Sequence, residues 1–352
     1  MRVITTQEAV ELLQQMIATP SLSRDEGAVA DMLTKWLADR GATPRRVGNN
    51  IILSQQLSPE KPVVLLNSHI DTVKPAAGYT IDPYTPTIEG DTLYGLGSND
   101  AGASVVSLLC AYSRLIQSEQ PYNLIYVCSA EEEVSGKNGI ESVLPQLGTN
   151  VDLAIVGEPT QMQMAVAEKG LMVLDCVAHG KSGHAARNEG VNAIYEALTD
   201  IEWFRTYTFP RVSEYLGAVK MSVTLIEAGT QHNVVPDTCK FVVDVRVNEL
   251  YGNVELLDLI RQHVTCDVKE RSTRLNSSAI PTSHPVVQRG LSLGLTCFGS
   301  PTMSDQALMP FTSIKIGPGD SARSHTANEF IRLSEIEQGV ETYISLLHNL
   351  TL

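Results

Sequence analysis

Residues that bind divalent metals recur in this chain at the ends of short apolar runs, and that placement limits what it can fold into more than any other feature. His69 lies in NSHID behind VVLL, Glu132 and Glu133 in SAEEEVSG behind NLIYVC, and Glu158 in VGEP behind DLAIV. Asp100 in GLGSND and His325 in SHTANE complete the set. Such runs read as buried strands, and in open α/β sheets ligands gather beyond the carboxyl ends of the strands. Two imidazoles and several carboxylates suit a borderline divalent ion such as zinc, which takes N and O donors at about 2.0–2.2 Å. Singly, each residue is more simply a polar strand end or a helix cap. The repeated placement carries the reading.

Around these positions the pattern alternates helix and strand, as an α/β sheet requires. Thr5 and Glu8 have capping-box spacing, followed by Val10, Leu13 and Ile17 on one face, which predicts a helix near the start. Asp25 to Arg40 reads as a second helix, burying Val29, Met32, Leu33 and Trp36 and stopping at Gly41. Pro62 to His69, Tyr122 to Ser129 and Asp152 to Val156 are expected as strands, and Asp100 to Ser118 as a helix whose start turns backbone N–H groups toward the site. From about residue 171 to 279 the pattern becomes a β-α-β-β-α-β unit, with LMVLDCVAHG, AVKMSVTLIEAG and CKFVVDVRV as strands and Val191 to Phe204 and Asn253 to Val264 as helices. His325 lies beyond it. The expected organisation is therefore a discontinuous metal-binding domain, 1–170 and 280–352, interrupted by an inserted domain, 171–279. A chain of 352 residues is long enough to form two cores.

Several function classes are disfavoured. A net charge of −14 lacks the basic face that neutralises nucleic-acid phosphates. No apolar run reaches the 18 or so residues that span a bilayer. The opening MRVITTQEAVELLQQMI reads as a capped amphipathic helix and not as a secretory signal, so a cytoplasmic protein is expected. Six scattered cysteines without a C-x-x-C pair suit reduced core thiols. The glycines of GLGSND and GPGDSARSH have neither Rossmann nor P-loop spacing and serve to bring backbone close to a site.

The motifs SHIDTV, GLGSNDAGAS, SAEEEVSG, VGEPT, EKG, GKSGHAA, NVVPD, DVR and GPGDSARSHTANE, in that order, resemble those of the two-zinc aminoacylases and peptidases that include acetylornithine deacetylase and succinyl-diaminopimelate desuccinylase. The chain departs from the usual pattern at Leu96, at Ala101 and Gly102, and at Glu131. None of these is a proposed ligand, so the departures bear on subfamily and substrate.

The resemblance implies a zinc-peptidase-like catalytic α/β domain with an inserted ferredoxin-like α+β lid through which a homodimer forms. It implies two divalent ions, zinc with cobalt able to substitute: His69 and Glu158 on one, Glu133 and His325 on the other, Asp100 bridging. Asp71 would orient the His69 ring, and Glu132, left without a metal, would be the general base. His184, an ordinary turn histidine by default, would reach a partner's site to stabilise an oxyanion. Arg246, by default half of a cross-strand ion pair, would grip the substrate carboxylate. Asn233 would contact substrate, although a turn explains it as well, and Ser304 and Asp305 would line the substrate pocket, although a helix N-cap explains them equally well.

The function expected is hydrolysis of the amide of an N-acyl amino acid, N-acetyl- or N-succinyl-ornithine or citrulline as in arginine biosynthesis. A succinyl-diaminopimelate desuccinylase or a dipeptidase would use the same centre. From another class, a non-catalytic metal-stabilised dimer would only bind acyl amino acids.

Overall fold

The computed structural model describes residues 1–187 and 189–352. The chain divides into two units, one comprising Met1–Val166, Ala279–Phe298 and Ser304–Leu352, the other Ala167–Ser278 with Gly299–Met303. The short return of residues 299–303 to the second unit has no signal in the sequence pattern.

In the first unit, six strands stand side by side in the order Arg45–Val47, Asn50–Ser54, Asn123–Ser129, Val63–His69, Leu153–Val156 and Ser313–Lys315. The last four run parallel, with Leu65 opposite Ile125 and Ala154. Val63–His69 and Asn123–Ser129 are buried along their whole length, as central parallel strands covered on both faces must be. Helix Thr6–Ile17 begins with the expected capping box, Thr5 and Glu8 each closing on the other's backbone. Its Leu12, Leu13 and Ile17 are buried, each such side chain worth about 1.5–3 kcal/mol relative to exposure. This helix packs with Ala103–Leu115 and Leu333–Leu347. Tyr343 ties the last of these to the sheet by donating its hydroxyl to the Ile316 carbonyl at 2.6 Å.

The expected helix from Asp100 begins later, at Ala103. Asp100 is not helical, with φ −117° and ψ 98°, and lies in the turn Ser98–Gly102 behind a left-handed Gly97 at φ 75°. The turn is tight: a Cβ on Gly102 would lie 2.5 Å from the Gly97 carbonyl oxygen. The backbone N–H of Asp100 is turned to a buried carboxylate, that of Glu329, instead of opening a helix.

The second unit has the ferredoxin-like chain order: strand Gly170–His179, helix Ala193–Thr206, strands Lys220–Ala228 and Thr238–Val247, helix Asn253–Arg261, strand Asp267–Glu270. The strands are antiparallel, and in space Lys220–Ala228 is an edge, followed by Thr238–Val247, Gly170–His179 and Asp267–Glu270. Burial alternates strictly along Gly170–His179, so one face supplies a core of Met172, Leu174, Phe204, Phe241, Val243 and Leu256.

Candidate metal centre

His69 is the last residue of its strand, with its ring almost wholly buried. Its Nδ1 lies 2.9 Å from the Asp71 carbonyl oxygen. A carbonyl only accepts, so Nδ1 carries a proton, and Nε2 is the ring atom left to face the carboxylates. That Nε2 is 3.2 Å from Asp100 Oδ1 and 3.6 Å from Glu158 Oε1. The Asp71 carboxylate is 3.4 Å from the ring and has closer partners. It accepts from the Ser23 hydroxyl at 2.7 Å and from the backbone N–H groups of Glu132 and Glu133 at 3.0 and 3.2 Å. The ring is thus oriented chiefly by the Asp71 backbone, while the side chain fixes the turn that carries the two glutamates.

On the other side, His325 Nε2 lies 3.0 Å from Glu133 Oε2 and 3.6 Å from Asp100 Oδ2. Asp100 therefore turns one oxygen toward each histidine. Ligands about 2.0–2.1 Å from a tetrahedral ion lie roughly 3.3 Å from one another, which is the spacing observed. Donor atoms of His69, Asp100 and Glu133 lie within 4.8 Å of one another, as do those of His69, Glu132 and Glu158. Glu158 Oε1 is buried without a hydrogen-bond partner among the described residues, and none engages the Glu132 carboxylate.

The electrostatics agree. Burial and their neighbouring carboxylates push Glu132 and Glu158 well above the usual carboxylate range, with His69 opposing, and Glu133 is raised in the same way. Burial acts upward on Asp100 and Asp71 too, but the hydrogen bonds and charge of His69 prevail and hold both low. Two rings leave more negative charge than they can balance, a deficit that divalent ions reverse. The residues present fit a metal pair.

One residue of the site went unread in the sequence. Glu329, buried in the strand-leading segment behind His325, accepts from the backbone N–H groups of Gly97, Asn99 and Asp100, each at 2.9 Å. It shapes the turn that presents Asp100. The only sequence signal was its place at the end of SHTANE. Each buried N–H left without an acceptor costs about 1–3 kcal/mol, so Glu329→Ala is expected to destabilise by at least about 3 kcal/mol and to weaken metal binding. Asp71→Ala should cost about 10–100-fold in metal affinity or activity. Denaturation midpoints and metal content by mass spectrometry measure both, and an unchanged midpoint with full metal content in Glu329→Ala would remove its assigned role.

His184, Asn233 and Arg246 lie in the second unit. His184 is exposed in a two-residue strand paired with Val234–Val235, and the Asn233 carbonyl accepts from the Ala185 N–H at 3.0 Å, so these two are neighbours. The His184 Nδ1 accepts from the Ala186 N–H at 3.1 Å, which leaves its Nε2 outward. Arg246 is gripped by Asp244, two residues earlier on the same strand face, through Nε at 2.8 Å and Nη2 at 3.1 Å. Among the described residues none accepts from its Nη1. In the first unit, Ser304 opens the turn Asp305–Leu308 and its hydroxyl accepts from the Gln306 N–H at 3.3 Å, the cap arrangement.

Residues 65–349 match the family model for peptidase family M20/M25/M40. The chain belongs to this family. As an M20/M25/M40 member it is a hydrolase acting on amide bonds, which removes the binding-only alternative. Acetylornithine deacetylase of Proteus mirabilis is 28% identical over 382 residues, covering 97% of each chain. Succinyl-diaminopimelate desuccinylase of Ehrlichia ruminantium is 26% identical over 273 residues, covering 72% of this chain and 71% of that protein. Among solved folds, the YXEP protein of Bacillus subtilis, a dinuclear metal-binding peptidase of the M20 family, superposes with a TM-score of 0.75 at 16% identity, covering 98% of this chain and 99% of that one.

Proposed function

We propose that the chain hydrolyses the amide of an N-acyl amino acid, with N-acyl-ornithine or N-acyl-citrulline as the preferred class, in the cytoplasm. The observation that carries the reaction is Glu132, whose carboxylate stands among the ligand atoms with no hydrogen bond from the described residues. The substrate class is supported by the full-length likeness to the Proteus mirabilis deacetylase. Six free cysteines, five of them buried, suit a reducing compartment, and among the described residues no helix is long and apolar enough to cross a membrane.

In this reading His69 and Glu158 would hold one divalent ion, zinc by preference, and Glu133 and His325 the other, with Asp100 available to both. The ions, when bound, supply Lewis acidity toward the scissile carbonyl and the attacking water. Glu132 would take the proton and deliver it to the leaving amine. Arg246 offers its free edge to the substrate carboxylate, with Asn233 and Ser304 as further substrate contacts. Hydrolysis rates of the zinc- or cobalt-loaded enzyme decide the class over acetyl- and succinyl-ornithine, acetyl-citrulline, succinyl-diaminopimelate and two dipeptides. Turnover of the dipeptides alone would replace this reading by a dipeptidase, and turnover of succinyl-diaminopimelate alone by a desuccinylase.

The proposal includes a homodimer in which His184 of the partner subunit stabilises the oxyanion. It is supported by the edge strand Lys220–Ala228, which exposes Leu225 by 63% and Ile226 by 58%, and by the outward Nε2 of His184. His184→Ala and Glu132→Gln homodimers should each be nearly inactive. Subunit exchange between them builds one intact site per heterodimer, so activity should return toward half of wild type per heterodimer. Confirmed exchange without recovery would confine His184 to its own chain.

A further inference from the structure

Beneath the metal centre lies a buried carboxylate that the proposed chemistry does not use. Asp305 is only 4% exposed, and among the described residues no cation pairs with it. It accepts from the Ser129 hydroxyl at 2.5 Å, the length of a charge-assisted bond. With the Asn67 amide turned so that its Nδ2 faces Asp305, that group donates to Asp305 Oδ2 at 3.1 Å, and the Asn67 Oδ1 accepts from the Ser68 N–H at 3.2 Å. A buried charge satisfied by two neutral groups costs several kcal/mol, and burial pushes the Asp305 carboxyl up to about 6. A neutral residue would brace a core at less cost.

The two groups it holds are not arbitrary. Ser129 ends one strand and stands opposite His69, the end of its neighbour. Its carbonyl accepts from the Ile70 N–H at 2.8 Å. Immediately after it the chain turns through Ala130, whose N–H is held by Asn50 Oδ1 at 2.9 Å, and through a left-handed Glu131 at φ 56° into Glu132 and Glu133. Asn67 is two residues before His69 on the same strand. Asp305 thus grips both strands at the level where they stop.

We propose that Asp305 is a positioning residue for the reaction: by holding Ser129 and Asn67 together it fixes where the two strands end, and so the separation of His69 from Glu132. The inference rests on Glu132 as base and His69 as ligand. A displacement of about 1 Å in such groups costs on the order of 100-fold in rate, while the folded core need not notice it.

Asp305→Ala, Asp305→Asn, Ser129→Ala and the double variant Asp305→Ala/Ser129→Ala are compared as full-length metal-loaded enzyme. The readouts are kcat, KM, metal per chain, the thermal midpoint and the visible absorption of the cobalt form, which reports ligand geometry without turnover. Asp305→Ala should lower kcat by about 10–100-fold with KM within about threefold and metal retained, and should change the cobalt spectrum. Asp305→Asn, which can still accept from Ser129, should recover kcat to within about threefold and restore the spectrum. The double variant should be no worse than the worse single one, since both break one clamp. Unchanged kcat and spectrum with only a lowered midpoint would overturn the proposal, as would additive single effects. If wild type cleaves none of the acyl amino acids or peptides, the functional reading fails, and the cobalt spectra still decide the role of Asp305.

Discussion

Glu132→Gln is expected to lower kcat by about 10²–10⁴-fold, the range that a positioned proton-transfer group contributes, while fold and metal content stay as in wild type. The amide has the shape of the carboxylate and cannot take the proton. The backbone of the turn is untouched, because Asp71 holds it through the N–H groups of residues 132 and 133. Steady-state rates and metal content must be measured on the same preparation. A fully metallated variant with near-normal turnover would show that the base lies elsewhere.

His69→Ala should be as damaging by a different route, with activity falling to background because at least one ion is lost. The His69 Nε2 is the atom that Asp100 Oδ1 and Glu158 face at 3.2 and 3.6 Å, and among the described residues no other imidazole pairs with those two oxygens. His325→Ala should also lose metal, although its side chain is 55% exposed and leaves a smaller hole. Mass spectrometry of the metal content after dialysis tests both. Two ions retained per chain in His69→Ala would exclude His69 as a ligand.

The strands that end in His69, in the glutamate turn and before Glu158 were legible because a buried parallel strand needs an unbroken apolar run, and the polar residues beyond it mark where burial stops. Those two constraints write themselves into adjacent letters. The same holds for the alternation that marks the second unit. What stayed hidden was backbone chemistry. The N–H groups of Gly97, Asn99 and Asp100 go to a glutamate more than two hundred residues away, and no local pattern announces such a partner. The late start of the helix at Ala103 follows from that bond. The grip of Asp244 on Arg246 was readable in principle, since residues two apart on a strand share a face. For Ser304 the two explanations were equal in sequence, and the structure supplies the cap.

The order in which the chain leaves the ribosome sets the order in which the centre can be assembled. His69, Asp100, Glu132, Glu133 and Glu158 all lie in the first half. His325 and Glu329 emerge almost half a chain later, roughly 10–30 s at about 5–20 residues per second. Through that interval the nascent acidic cluster has neither its second imidazole nor the carboxylate that closes the Asp100 turn. The intervening unit has its own core and can complete its folding meanwhile. A metal pair that needs His325 could therefore be completed only late in the life of the polypeptide.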